Sequence, residues 1–197
     1  MTGPRVVAVC RDELHRFSKV SVGSITLVAG HGVLGDAHAG AQVEHRSRVR
    51  RDPNQPNLRQ VHLLHRELFD EARDAGYELA PGDLGENILV EGLDLLGLPA
   101  GALLDFGGPV VQLTGLRNPC AQINNFRPGL LTVVLARVDG TAMDVPAPPT
   151  GHADFASPSV IRKAGVMAVV ERGGVVEPGA TIVVTLPSGP YVALAPV

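Results

Sequence analysis

Short runs of β-branched and aliphatic residues, bounded by Gly, Pro, Asn and Asp, recur along the whole chain. In the first half they are Val6-Val7-Ala8-Val9-Cys10, Ile25-Thr26-Leu27-Val28, Val61-His62-Leu63-Leu64 and Asn87-Ile88-Leu89-Val90. Val110 to Thr114, Leu131 to Val138, Val166 to Val170, Thr181 to Leu186 and Tyr191 to Leu194 follow. Runs of this length and composition read as strands, about nine of them. Gly107-Gly108 separates two runs, and Arg172-Gly173-Gly174 separates Val166 to Val170 from Val175-Val176. Both read as tight turns and favour antiparallel pairing.

Helical spacing is rarer. From His65 to Ala75 the apolar residues Leu68, Phe69, Ala72 and Ala75 fall on one helical face, with Gly76 where a C-terminal cap belongs. A second, shorter helix is expected from Ser159 to Ala164, capped by Ser157 or Ser159 and stopped by Gly165. Strands outnumber helices and do not alternate with them as in a doubly wound sheet. The expected fold is β-rich, α+β by count: a single domain over residues 1–197, curled or closed as a barrel, with one or two peripheral helices. His45 to Leu58, which carries Arg46, Arg48, Arg50 and Arg51, and the Pro- and Gly-rich stretch from Gly140 to Ser157 have neither period. They are expected as loops near one mouth of the domain.

Composition narrows the partners. The 197 residues are 45% hydrophobic, enough for a sizeable core. A net charge of -3, no Trp and 4% aromatics argue against a duplex binder or a base-stacking platform, so nucleic acid is not an expected partner. No apolar run reaches membrane-spanning length and the N-terminal residues lack a secretory signal pattern, so a soluble, cytoplasmic protein without membrane contact is expected. Two cysteines cannot make a disulfide framework, so each is judged singly.

Cys10 ends an apolar strand and reads as packing. Cys120 follows Thr114-Gly115-Leu116-Arg117-Asn118-Pro119, placing its thiol beyond a strand end with Arg117 three residues before it. A nearby cation favours thiolate, the form that attacks or ligates, while the bland alternative is an inert cysteine in a turn. Gly32-Val33-Leu34-Gly35-Asp36-Ala37-His38-Ala39-Gly40 is either a plain turn or a loop that brings Asp36 and His38 to a ligand. In Pro81-Gly82-Asp83-Leu84-Gly85-Glu86-Asn87, either Glu86 and Asn87 point into a mouth or Asp83 and Asn87 satisfy turn amides, the second being the simpler reading. Arg59, beside Gln60 at a strand start, is the arginine best placed for an anion. No His-Glu-x-x-His, Cys-x-x-Cys or Gly-x-Ser-x-Gly pattern occurs, so histidine-ligated metal and a serine nucleophile have no sequence support.

Taken together and in order, the segments GVLGDAHAG (Gly32 to Gly40), RQVHLL (Arg59 to Leu64), PGDLGENILV (Pro81 to Val90) and TGLRNPCAQIN (Thr114 to Asn124) resemble the MOSC domain, named for the C-terminal domain of molybdenum cofactor sulfurases. RKAGVMAVV (Arg162 to Val170) with Pro178-Gly179 is consistent with this, and the likeness spans about residues 20–186. The resemblance implies a strand-rich, barrel-like fold and a function in binding molybdenum cofactor (molybdopterin) or handling its sulfur. Cys120 would then be the molybdenum ligand or a persulfide carrier. It further implies reduction of N-hydroxylated small molecules. The alternatives are a carrier that accepts sulfur from a partner cysteine desulfurase, itself holding pyridoxal phosphate (PLP), or a non-catalytic module that stores or delivers the pterin. Under this reading Cys120, Asp36 and His38 are the candidate catalytic residues, and Arg59, Gln60, Glu86, Asn87, Thr114, Arg117 and Asn118 the candidate cofactor contacts. The chain departs from the larger reductases in having no preceding barrel domain and no cysteine-rich ferredoxin domain. A separate reductase partner is therefore expected to supply electrons. Leu58 stands where a His commonly precedes Arg-Gln-Val, and His45 to Asn57 is an arginine-bearing insertion.

Overall fold

The computed structural model describes residues 3–41, 57–139 and 159–197. The arginine-bearing segment up to Pro56 and the stretch from Gly140 to Ser157 lie outside them, as does Ser157 as a helix cap.

The long apolar runs form the middle of one sheet. Eight strands lie in the order β13-β7-β8-β11-β5-β6-β1-β2: β1 Arg5–Arg11, β2 Val20–Val22, β5 Val61–His65, β6 Ile88–Glu91, β7 Leu103–Asp105, β8 Val110–Leu116, β11 Val166–Arg172 and β13 Val183–Thr185. A smaller sheet holds β12 (Gly174–Val176), β3 (Ile25–Val28) and β4 (Gly32–Val33), and a ribbon pairs β9 (Leu135–Arg137) with β10 (Val160–Arg162). Although β1 and β13 are far apart in this order, Val6 N–H donates to Ala180 O at 2.8 Å and Ile182 N–H to Pro4 O at 2.9 Å. The segment entering β13 therefore reaches β1, and the sheet curls over its own inner face. Among the described residues no helix is long and apolar enough to cross a membrane.

Strand alternation divides the core. On β1, β5 and β6, Val6 and Val9, Val61 and Leu63, and Ile88 and Val90 face one buried cluster, which Val111, Leu113, Val166 and Ala168 complete. Ala8, Leu64 and Leu89, on the same strands, face the other way and meet the helices. These are α1 (Glu67–Asp74), α2 (Gln122–Phe126) and α3 (Leu130–Val134). Helix α1 lies inside the span predicted from spacing, buries Leu68, Phe69 and Ala72, and ends in a Schellman pair, Gly76 N–H to Arg73 O and Tyr77 N–H to Ala72 O.

Several expectations are corrected. Pairing is not antiparallel throughout: α1 carries the chain across the sheet, so β5 and β6 run parallel, as a crossover connection allows. The Gly107-Gly108 turn does join an antiparallel hairpin, β7 to β8, but Gly173-Gly174 passes the chain from β11 into the other sheet, where β12 pairs with β3. Leu131 to Val138 is not one strand, because its first half coils into α3 and buries Leu130, Leu131 and Val134 at helical spacing. A short apolar run carries no period that separates the two states. Residues 159–164 hold β10 rather than a helix, since β-branched Val160 and Ile161 find a partner edge in β9. Residues 191–194, flanked by prolines, make only the bridge Pro99 to Ala193. Among the described residues there are thirteen strands rather than nine, because β2, β4, β7, β9, β10, β12 and β13, only two or three residues long, add to the longer runs.

Gly165, which precedes β11, has φ +95°, and a Cβ there would run into the Leu63 carbonyl oxygen and come within 2.7 Å of His62 Nε2. At Gly107 φ is +85° with no atom within 4 Å of a Cβ. Gly107→Ala should therefore lose only the left-handed term, about 1–2 kcal/mol, whereas Gly165→Ala should lose about 2–5 kcal/mol once overpacking is added. Urea unfolding of the two variants measures this, and equal losses would refute the assignment of close packing at Gly165.

Candidate functional site

Two of the sequence segments meet at one buried carboxylate, and a third reaches it through Asn87. Asp36, in the turn after β4, accepts from its own loop through His38 N–H at 3.0 Å on Oδ1. Its Oδ2 faces Lys19 Nζ at 2.7 Å and accepts from Asn87 Nδ2 at 3.0 Å. Both charged side chains are almost completely buried, 4% exposed for Lys19 and 1% for Asp36. Burial pulls the Asp36 pKa up, but the hydrogen bond from His38 and the Lys19 ammonium overrule it and hold the carboxyl well below the usual range. Burial likewise lowers Lys19, with Asp36 opposing. A pair this close and this well bonded stays ionised at neutral pH.

Asn87 extends the network into the sheet. Its Oδ1 accepts from His62 N–H at 3.1 Å and its Nδ2 also donates to Cys10 O at 3.2 Å, so one carboxamide brackets β1, β5 and the Asp36 loop. Asp83 plays the turn role, accepting from Ala80 N–H. Glu86 is fully buried: Gly82 N–H donates to Oε1 at 2.6 Å, while Oε2 has no hydrogen-bond partner among the described residues. Burial raises its pKa, against the pull of the Gly82 amide. Beneath it, His62 Nε2 lies 2.8 Å from Ala164 O, and burial, then the Arg117 charge, keeps the imidazole neutral.

Cys120 stands between β8 and α2, with Ile123 N–H donating to its carbonyl at 3.1 Å. Its thiol is half-buried and donates to Gln122 Oε1 at 3.6 Å, so it is not sealed in the core. Arg117 is fixed by donating from Nη1 to Leu84 O at 2.6 Å and lies 5.8 Å from the centre of the Phe17 ring. Burial lowers its pKa, while Cys120 and Glu86 both favour the cation. Cys10 is the opposite case. It is 0% exposed, and burial, then the Glu86 charge, pushes its thiol up to about 12, which leaves it inert at neutral pH.

Beside Cys120 an open cleft of about 550 Å³ lies between residues 12–20 and α2, lined by Asp12, Arg16, Phe17, Lys19, Gln122 and Phe126 among others. Not every residue picked from the sequence reaches this side. Gln60 spends its carboxamide on Val170 N–H at 2.9 Å, inside the sheet. The Thr114 hydroxyl donates to Leu58 O at 2.6 Å, and Arg59 N–H to Asn57 Oδ1 at 3.0 Å, which ties β8 and the start of β5 to the chain before them. Asn118 is exposed two residues before the thiol. His38 is 42% exposed, with Nδ1 3.4 Å from Asp36 Oδ1 and its ring 5.5 Å from that of His15. Lys19, Phe17 and Asp12 were absent from the sequence-based site. They lie in the irregular stretch between β1 and β2, and the only signal for Lys19 would have been that a buried Asp36 needs a counter-charge.

Two outcomes follow from this network. Asp36→Asn leaves the Lys19 ammonium buried without its counter-charge and should lose about 3–5 kcal/mol, with Lys19→Met/Asp36→Asn losing clearly less than the two single changes summed; denaturant titration of the double-mutant cycle reads the coupling. On acidification, His62 and His65, both held neutral by burial, cannot take up protons that the unfolded chain accepts below about pH 6.5, so stability starts to fall there. Asp36, depressed in the fold, contributes fully above about pH 4 and loses its contribution as the pH drops further. Melting temperature against pH should thus decline in two stages, and His62→Gln should flatten the first.

Over residues 38–183 the sequence matches the family model of the MOSC domain. The fold is similar to that of YuaD from Bacillus subtilis, with a TM-score of 0.69 and 22% identity over 92% of this chain and 94% of that one. YiiM from Geobacillus stearothermophilus superposes with a TM-score of 0.63 at 16% identity, over 96% of this chain and 79% of that one. YiiM from Escherichia coli gives 0.55 at 19%, over 95% and 73%. Comparison of the sequence with curated proteins finds no match. At these identities the structures speak for the fold alone, whereas the family match covers most of the chain: the protein belongs to the MOSC domain family, a family associated with molybdenum cofactor.

Proposed function

We propose that this protein binds molybdenum cofactor with Cys120 as the sulfur ligand and reduces N-hydroxylated small molecules with electrons from a separate reductase. The observation that carries the reading is the contrast between the two thiols: Cys10 is buried with its pKa raised, whereas Cys120 is half-buried beside a fixed Arg117. The residues present fit the group. A soft thiolate suits molybdenum, the cation three residues away suits an anionic cofactor, and a cleft of about 550 Å³ adjoins the thiol through Gln122. When bound, the cofactor would supply the electron-transfer chemistry.

The chain's own residues then orient and protonate. Leu84 O and Phe17 hold the Arg117 guanidinium in place. Arg117 and Asn118 are the proposed phosphate contacts. Removing the hydroxyl oxygen as water takes a pair of protons as well as a pair of electrons, and His38 is the candidate donor, because Asp36 Oδ1 orients its Nδ1 side while much of the ring stays open to solvent. Asp36 and Asn87 act through other groups: they are buried and already bonded within the fold, so they position the mouth, while Glu86 is buried with Oε1 bonded to the Gly82 amide and Oε2 without a partner among the described residues.

The half-exposed thiol also suits a second reading, a carrier that takes persulfide sulfur from a PLP-dependent cysteine desulfurase. Purified from cells that make the cofactor, the protein should contain molybdenum by elemental mass spectrometry, and Cys120→Ser should lose it while Cys10→Ser keeps it. No metal in the unmodified protein would remove the ligand reading. One added sulfur mass at Cys120 after incubation with a desulfurase and cysteine would then establish the carrier. A reductase assay with an artificial electron donor distinguishes catalysis from storage of the pterin, since storage predicts bound cofactor without turnover.

A further inference from the structure

The end of β8 is held from both flanks, and the two holds differ. On one flank β11 runs alongside to the last residue, with Met167 opposite Gly115 and Val166 opposite Leu116. On the other, β7 covers only Val110 to Gln112, and Leu113 bonds to Gly101 and Ala102, which leaves Gly115 and Leu116 beyond that strand. Residues 195–197 fill the place. Leu116 N–H donates to Ala195 O at 2.8 Å and Val197 N–H donates to Leu116 O at 3.3 Å, a parallel bridge with Pro196 opposite Leu116.

Gly115 is shaped to admit this strap. Its φ lies outside the left-handed region, so the backbone there suits any residue. A Cβ would nonetheless run into Ala195 O and the Val197 side chain, which supply the nearest atoms it would meet. Close packing of the strap therefore requires the missing side chain, and the strand conformation does not. Leu194, buried in the main core, anchors the strap just before it reaches β8.

The hold meets the site at the peptide bond between Leu116 and Arg117. Its carbonyl accepts from Val197 N–H and its N–H donates to Gly165 O at 2.9 Å, so one peptide plane is clamped between the strap and the residue that precedes β11. Arg117-Asn118-Pro119-Cys120 departs from that plane, and the Arg117 charge is felt at the thiol. We propose that residues 195–197 are positioning residues: by clamping the Leu116 carbonyl they hold the Arg117 guanidinium beside Cys120, and Gly115 is the position that lets them do so. The inference serves the function proposed above, because that reading uses Arg117 and Cys120, but the clamp acts on the thiol with or without a metal.

Alkylation of Cys120 by iodoacetate and by iodoacetamide, at one pH, tests the clamp in protein made by cells that lack molybdenum cofactor. Both reagents attack the same thiolate, so a change in exposure or stability scales both rates alike, whereas only the anionic reagent is drawn by an adjacent cation. Arg117→Gln sets the scale and should lower the iodoacetate-to-iodoacetamide rate ratio about fivefold, the worth of roughly one charge contact in watery surroundings. Removal of residues 195–197 and, separately, Gly115→Ala should each lower the ratio at least about twofold, a part of that full charge contact. The two changes combined should lower it no further than the removal does, because both act through one contact. Hydrogen exchange at the Leu116 amide should quicken in both variants, and Cys10, left unalkylated, reports an intact core. The proposal is overturned if either variant keeps the original ratio, if both rates change in parallel, if the two changes add in full, or if Arg117→Gln leaves the ratio as it was. Since no readout involves metal, failure of the clamp and failure of the metal-ligand reading are told apart.

Discussion

The buried ion pair between Lys19 and Asp36 is the constraint on which the candidate site depends. Removing two charges from water is costly, and the cost is offset only where the partners are close and every remaining valence is bonded. Here Asp36 also takes Asn87 and the His38 amide, and Asn87 in turn holds β1 and β5. The irregular stretch from residue 12 to 19 has no period to fix its path, so its position against α2 follows from this anchor at one end and the Arg16–Asp12 contact within it. The cleft, the Phe17 ring under Arg117, and the placement of His38 all inherit their geometry from it.

A second consequence is the sorting of two chemically identical thiols. Cys10 points into the interior from β1, next to the sheet edge, and the glycine-rich turn that carries Glu86 covers it; burial and a buried acid then suppress its thiolate. Cys120 leaves the sheet with β8 and meets only a polar neighbour and a cation held by the Leu84 carbonyl of that same turn. One loop thus silences one cysteine and positions the cation beside the other.

How legible this was varies by element. The long runs at residues 6–10, 61–64, 110–114 and 166–170 gave their strands away because both flanks are punctuated and their residues suit a pleated, buried surface. Helix α1 declared itself by about two turns' worth of spacing and a glycine stop. The misreadings at 131–138 and 159–164 share a cause: segments of six to eight residues carry too little period to choose between helix and strand, and the choice fell to packing on α1 in the first case and to pairing with the edge of β9 in the second. At the site, Cys120, Arg117, Asp36, His38, Glu86 and Asn87 could be picked out as chemistry-bearing residues in glycine-rich turns. Gln60 could be too, although its carboxamide is engaged in holding β11.

The sequence by itself determined a strand-rich architecture, the family, and the presence of one cysteine in a setting fit for chemistry, because those properties are written in local composition, spacing and motif order. The tertiary structure alone shows that Lys19 is the partner of Asp36, that the Phe17 and Phe126 rings meet, and that Asn87 and Glu86 are buried in the same end of the sheet. Pairing of a buried charge and closure of a cleft depend on residues far apart in the chain, 17 positions for Lys19 and Asp36 and 109 for Phe17 and Phe126, and no local pattern records which distant residue will satisfy which need.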